Sequence, residues 1–254
     1  MPIIQSVDRA LKILDLFNEH NSEMKITEIS KKLELNKSTT HSLLKTLKEH
    51  DYIKQDADSG KYSLGLKLLE RGQFMLNSLD IREIARKYLI DLSVTTGQTT
   101  HLVILEGMYG VYIDKVEGES AVVYSRIGKR VPIHSSAVGK SLMAFRQPKD
   151  IEELLQHYDF FAQTTNTITD KQVFIDELAE VRKQGYAIDN EENEPGIFCI
   201  AVPVFNHTNH VVAAISISTT KQTITSALEQ KIIDTLKQTC SEISQALGNK
   251  EIYL

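Results

Sequence analysis

Two cysteines, Cys199 and Cys240, are too few in 254 residues to build a disulfide framework, and that scarcity fits a reducing compartment. No run of about 18 apolar residues occurs, so no transmembrane helix is expected. The opening MPIIQSVDRALKIL has neither the basic stretch nor the small-residue cleavage site of a signal peptide. A cytoplasmic protein without a membrane partner is therefore expected. Internal repeats, low-complexity segments and Pro- or Ser-rich tethers are missing too.

The common catalytic signatures are also absent. Ala137-Val138-Gly139-Lys140-Ser141 has the Gly-Lys-Ser end of a phosphate-binding loop, but the loop's first glycine would fall at position 134, which is His134. There is no G-x-S-x-G elbow and no H-E-x-x-H. His207 and His210 fall in an expected hairpin turn, where solvated histidines are the ordinary case and a metal would need further ligands. Asp189–Glu192 reads as a solvated acidic loop, and Cys199 as a buried strand thiol. No catalytic residue, metal or cofactor is expected. The alternative is an enzyme acting on a small acid through Asp189 and Cys199, or a ligand-binding module without DNA binding.

What is present begins with a charge asymmetry. The chain carries a net −5, yet Lys25–Lys54 holds seven lysines against four acids, a local +3. A basic segment on an acidic body is what phosphate attraction needs, and a solvated lysine face would produce it equally well.

The apolar spacing places three short helices at the front. Val7, Ala10, Leu11, Ile13, Leu14 and Phe17 follow Ser6, a plausible N-cap. Ile26, Ile29 and Leu33 mark a second helix capped by Thr27. After the tight connection Glu34-Leu35-Asn36, Asn36 caps a third helix with Leu43, Leu44 and Leu47 on one face. Tyr52–Ile53 and Tyr62–Leu64 flank the turn Asp56–Gly60 as a β-hairpin. This order predicts a winged helix-turn-helix over 1–65, followed by a linker helix over 66–79.

Residues 80–254 change character. Strands are expected at His101–Glu106, Gly110–Glu117, Ala121–Ile127, Tyr186–Asp189, Ile197–Phe205 and Val211–Thr219. Helices are expected at Ser136–Phe145, Ile151–Tyr158, Val173–Gln184 and Ile224–Leu247. The turn Asn206–His210 makes an antiparallel hairpin. The reading is α+β: an antiparallel sheet with helices to one side.

The third helix opens Asn36-Lys37-Ser38-Thr39-Thr40-His41-Ser42. Hydroxyls and free amides at a helix start suit phosphate oxygens, and in a helix-turn-helix this end enters the major groove. Lys37, Ser38, Thr39, His41, Ser42 and Lys45 are the candidates for DNA contact, with Lys61 beside the wing turn. Ordinary capping would explain Ser38 and Thr39 equally well.

Six segments, Ser6–Leu14, Ser38–Leu47, Gly60–Gly65, Pro132–Lys140, Gly185–Asp189 and Gly196–Val204, taken in this order, resemble the IclR family of bacterial transcription regulators. The resemblance covers nearly the whole chain. It implies a winged helix-turn-helix, a linker helix and a C-terminal GAF-like effector-binding domain. It also implies dimers, often paired into tetramers, on a palindromic double-stranded DNA operator, with a small organic or aromatic acid as effector. By position it implies an effector pocket of Ala137, Val138, Asp189, Cys199, Ser216 and Ser218, with Val123 as a looser match. Ser216 and Ser218 are two apart on a strand and so face the same way. With backbone N–H groups near Val138–Lys140 they are placed to hold a carboxylate, while Asp189 accepts from an effector hydroxyl or carries a proton. Two departures stand out. Position 42, often arginine in such helices, is Ser42, which removes a bidentate guanine reader. Position 51, often glycine, is Asp51, which tolerates a left-handed turn.

Overall fold

The computed structural model describes residues 3–18, 21–78, 81–119 and 125–250. The chain divides into two compact units, Met1–Leu79 and Asp80–Leu254.

In the first unit, helices α1 (Gln5–Asp15), α2 (Ile26–Lys32) and α3 (Lys37–Glu49) precede the hairpin β1 (Ile53–Gln55) and β2 (Tyr62–Leu64), and α4 (Leu66–Ser78) closes it. Ile13, Ile29 and Leu44, one from each of the first three helices, meet Phe17, Met24, Ile53 and Tyr62 in a small core. Each such side chain contributes about 1.5–3 kcal/mol when buried. Two caps differ from expectation. The first helix starts at Gln5 behind Ile4, so Ser6 lies inside it. The second starts behind Lys25, with Thr27 also inside. The reason is local: the Lys25 N–H donates to the Glu28 carboxylate at 2.6 Å, which satisfies an orphan amide without a hydroxyl cap. Asn36 does stand at the N-cap of α3, in extended conformation, but its side chain makes no capping bond. Glu34 and Asp51 both take left-handed backbone, with φ of 53° and 61°. Glu34 thereby turns the chain between α2 and α3. In the wing turn, Asp56 accepts from the Ser59 amide at 2.8 Å and from its hydroxyl at 2.7 Å.

The second unit opens with α5 (Ile81–Thr96). A six-stranded sheet follows, built from β3 (Thr99–Glu106), β4 (Tyr109–Val116), β5 (Arg130–Pro132), β6 (Ala187–Asn190), β7 (Ile197–Phe205) and β8 (Val211–Thr220). Their order is β5-β4-β3-β8-β7-β6, and every neighbouring pair is antiparallel. Between β5 and β6 run α6 (Ala137–Ala144), α7 (Pro148–Leu154) and α8 (Lys171–Gln184), and α9 (Ser226–Ala246) ends the unit. The expected strand at 121–127 lies partly outside the described residues, and its remainder, 125–127, is not strand. The edge is held instead by β5.

Helices cover both faces of the sheet, not one. Phe198, Ile200, Val202 and Val204 pack with α5 and α9, whereas Ala201 and Ala214 pack with α6 and α8. The apolar runs of β7 and β8 leave neither face fit for water, and such strands need a layer on each side. The α6 layer sits very close. A Cβ on Gly139 would stand 2.4 Å from Ile133 Cα and 2.6 Å from its carbonyl oxygen. Gly139→Ala is therefore expected to destabilise the second unit by about 1–3 kcal/mol through overpacking. Denaturant titration of the full chain checks this, and an unchanged midpoint would contradict the close approach.

Candidate functional site

Two surfaces bring together the residues singled out from the sequence. The first is the outer face of α3. Thr40 and Leu44, four apart, point into the core, which turns Ser38, His41, Ser42 and Lys45 to solvent, and Lys37 is exposed at the start of the helix. Thr39 sits half-buried at the edge of that face. The first turn of α3 carries no acidic residue, so its free amides and positive dipole end are open to an anion. Ser42 donates its hydroxyl to the Ser38 carbonyl at 3.2 Å, and Thr46 does the same to Ser42 at 3.0 Å. These hydroxyls are turned along the helix and offer a ligand chiefly lone pairs. Lys61 lies 3.8 Å from the Glu23 carboxylate, an ion pair beside the wing.

The second is a cavity on the α6 face of the sheet. Ala137, Val138, Asp189, Cys199, Ser216 and Ser218 all line it. Val123 lies outside the described residues. The row is set by strand register: Asp189 pairs with Cys199, Cys199 with Ser218, and Ser216 with Ala201. The space exists because the neighbouring positions on this face are small, namely Ala187, Ala201 and Ala214. Its enclosed volume is about 70 Å³, well below the roughly 300–1,000 Å³ of drug-sized ligand sites, so the cavity as it stands suits only a small molecule. Cys199 Sγ and Ser218 Oγ are 3.0 Å apart. Ser136 caps α6: its hydroxyl accepts from the Gly139 amide at 3.1 Å, and its carbonyl accepts from the Lys140 amide at 3.0 Å. The amides expected to serve a ligand near Val138–Lys140 therefore narrow to those of Ala137 and Val138, which a helix start leaves without an internal acceptor.

The family models agree with this division. The one described as the bacterial transcriptional regulator IclR C-terminal domain matches residues 73–245, and the IclR helix-turn-helix domain matches residues 6–57. The chain is 51% identical over 249 residues to the HTH-type transcriptional regulator XynR of Escherichia coli, covering 98% of this chain and 99% of the relative. It is 37% identical over 246 residues to the HTH-type transcriptional regulator KdgR of the same organism, covering 96% and 93%. The chain belongs to the IclR family. Among solved structures it is similar to the Thermotoga maritima IclR, with a TM-score of 0.65 and 39% identity over 96% of this chain and 99% of that one. It is also similar to the Agobacterium tumefaciens repressor BlcR, with a TM-score of 0.79 and 26% identity over 98% and 99%.

This IclR-family chain is thus a transcriptional regulator with a helix-turn-helix DNA-binding domain, and its relatives are regulators rather than enzymes. The electrostatics of the cavity agree. Burial, reinforced by the Asp189 carboxylate, holds the Cys199 thiol well above the ordinary thiol range, which denies it nucleophilic character. Among the described residues, no group of three or more His, Cys, Asp or Glu side chains is placed to hold a metal ion. Nor is any helix there long and apolar enough to cross a membrane.

Several side chains at the IclR-family cavity escaped the sequence reading. Tyr112, Ser125, Gln163 and Asn193 also line it. Gln163 donates to Asn193 Oδ1 at 2.8 Å and to Ser135 Oγ at 2.9 Å, joining two loops at the rim. Lys140 lies behind the wall and is 1% exposed. It donates to the Glu192 carboxylate at 2.7 Å, the Ile188 carbonyl at 2.8 Å and the Glu177 carboxylate at 3.1 Å. Its signal was a lone charge inside the otherwise apolar helix AVGKSLMA.

Asp189 Oδ1 accepts from the amides of Glu192 at 2.8 Å and Asn193 at 3.2 Å. Burial nevertheless pushes its carboxyl up to about 7, the two amides opposing the rise and the Glu192 carboxylate adding to it. A carboxyl raised above its unfolded value near 3.8 favours the folded state fully below that value. The contribution is lost as pH rises through about 7. Asp189→Asn keeps the accepting oxygen and removes the titration. Its stability relative to the native chain should therefore rise between about pH 4 and 7, by a few kcal/mol at most, and stay level above. Unfolding free energies across that range check it; a constant difference between the two proteins would contradict the shift.

Proposed function

We propose that this regulator binds a palindromic operator as a homodimer, that a small organic acid in the α6-face cavity modulates that binding, and that it works in the cytoplasm. The observation that supports the effector reading is the convergence of α6, β6, β7 and β8 on one cavity that pairs free helix amides with hydroxyls. An acid would set its carboxylate between the Ala137 and Val138 amides and the hydroxyls of Ser216 and Ser218. Asp189 would accept from an effector hydroxyl or bring its own proton, and Val138 would keep water away. The segment 66–79, which joins the DNA-binding part (1–65) to the effector-binding part (80–254), would carry the response. The acid can shift operator binding only by favouring one arrangement of the protein over another.

The homodimer reading is supported by apolar side chains that the single chain leaves wet. Ile4, Val7 and Leu11 lie on one face of the α1 region and are 68%, 53% and 57% exposed. Leu66, Leu69 and Phe74 on α4 are also exposed. Apolar faces of this kind mark protein contacts, and a two-fold pair of recognition helices calls for a two-fold operator. Ile90 and Val94, four apart and exposed on α5, supply a place for dimers to pair into tetramers.

Three outcomes are expected. On a palindromic duplex from beside its own gene, Lys37→Ala should weaken binding on every sequence and reduce the salt slope by about one. Thr39→Ala should cost more on the palindrome than on a scrambled duplex. Equal affinity of the native chain for both duplexes, measured by mobility shift, would sink the operator reading. Leu11→Asp should yield monomers in sedimentation, and dimers that persist in this variant would refute the α1 interface.

A further inference from the structure

His101, on β3, stands behind the cavity wall and is 1% exposed. Three residues that line the cavity rest on its ring. Ser125 Oγ is 2.7 Å from Nε2, Ser216 Oγ is 3.4 Å from Nδ1, and the Tyr112 ring packs edge-on at 5.0 Å. Among the described residues, neither serine hydroxyl has another partner. Burial, with the Lys115 ammonium nearby, pushes the imidazole down to about 3, so the ring is neutral wherever the protein works. A neutral imidazole has one donor nitrogen and one acceptor nitrogen.

That fact couples the two serines. If Nε2 carries the proton, it donates to Ser125, and Ser216 donates back to Nδ1. Ser125 then has its hydrogen free for the cavity, while Ser216 offers only lone pairs. If Nδ1 carries the proton, the roles exchange. In either tautomer one hydroxyl donates into the cavity and the other only accepts. A ligand with acceptors at both positions meets a lone pair with a lone pair in a buried site. A ligand with a carboxylate oxygen at one position and a hydroxyl at the other satisfies both.

We propose that His101 is a positioning residue that sets effector specificity: through Ser125 and Ser216 it selects an acid bearing a hydroxyl beside its carboxylate, a 2-hydroxy acid, over the 2-oxo acid of the same skeleton. The inference rests on the reading of the cavity as an acid site. It adds a polarity rule that neither serine imposes alone, since a free hydroxyl rotates to suit either ligand.

The test is calorimetric titration of the full-length protein with matched pairs: lactate and pyruvate, 2-hydroxybutyrate and 2-oxobutyrate, 2-hydroxyglutarate and 2-oxoglutarate. The native chain should bind the hydroxy member of its best pair about tenfold more tightly, the effect of one stranded buried polar group. His101→Leu should bring the two members within about threefold of each other. His101→Gln, which keeps one donor and one acceptor, should retain part of the preference. Ser125→Ala frees Ser216 and should level the pair as well, which covers the case in which His101→Leu does not fold. Binding with a native ratio near one, or a ratio that neither His101→Leu nor Ser125→Ala moves, would overturn the role of His101 and leave the acid site standing. No binding of either member in any pair would overturn the acid reading itself, and this inference with it.

Discussion

The ammonium group of Lys140 is shut away from water, so each of its three N–H bonds has to end on protein. They end on Glu177 of α8, on the carbonyl of Ile188 in β6 and on Glu192 in the following loop. Three segments distant in sequence are thereby fixed to α6, the helix whose first turn lines the cavity. Breaking such a buried pair from one side strands a charge, at about 3–5 kcal/mol. The constraint is therefore strong enough to hold a loop that has little apolar surface of its own. Asn193 and Glu194 reach the cavity because Glu192, next to them, is tied down.

The same network sets the character of the cavity. Two carboxylates face one ammonium, and Glu192 is itself raised by burial. Asp189, three residues from Glu192, retains a proton to near neutral pH chiefly because it is buried, with the Glu192 carboxylate adding to the rise and Lys140 opposing it. A carboxyl in that state donates as well as accepts, so an anion can lie beside it without facing a second full charge. Elsewhere the lining holds Ser125, Ser216 and Tyr112, backed by the uncharged imidazole of His101, together with the cationic Lys129 and Arg130. Between them the small side chains of Ala187, Ala201 and Ala214 leave the volume. The cavity is thus a gap in packing whose polar groups are held by residues behind it.

The first unit works by a different economy. Among the described residues its core has seven buried side chains, and its outer face is defined by what the core removes. Once Thr40 and Leu44 point inward, the 3.6-residue period turns Ser38, His41, Ser42 and Lys45 outward, and Lys37 is exposed as the first residue of the helix. The back-bonded hydroxyls of Ser42 and Thr46 leave those two side chains chiefly lone pairs to offer, beside the helix-start amides and the lysine charges. Serine at position 42 therefore presents a short acceptor on the outer face of α3.

By itself the sequence determined whatever depends on neighbours along the chain. The three helices and hairpin, the β7–β8 hairpin and the bounds of Ile197–Phe205 follow from apolar period and turn residues, and the structure repeats them. Ser6 and Thr27 lie inside their helices instead of capping them: the Glu28 carboxylate serves the Lys25 amide as a hydroxyl would, and α1 starts behind Ile4 with no side-chain cap. The second helical layer was missed because an apolar strand shows that both faces are buried without showing what covers them. Ala137, Val138, Asp189, Cys199, Ser216 and Ser218 were legible only through resemblance. Lys140 showed only as a lone charge in an apolar helix, and Gln163 and His101 were not legible at all. Tertiary structure alone decided their roles, since His101 and Ser216 are 115 residues apart, and no period links them. Whether a hydroxyl donates or accepts is settled by the atom that folding brings within about 3 Å of it, and that atom belongs to another strand.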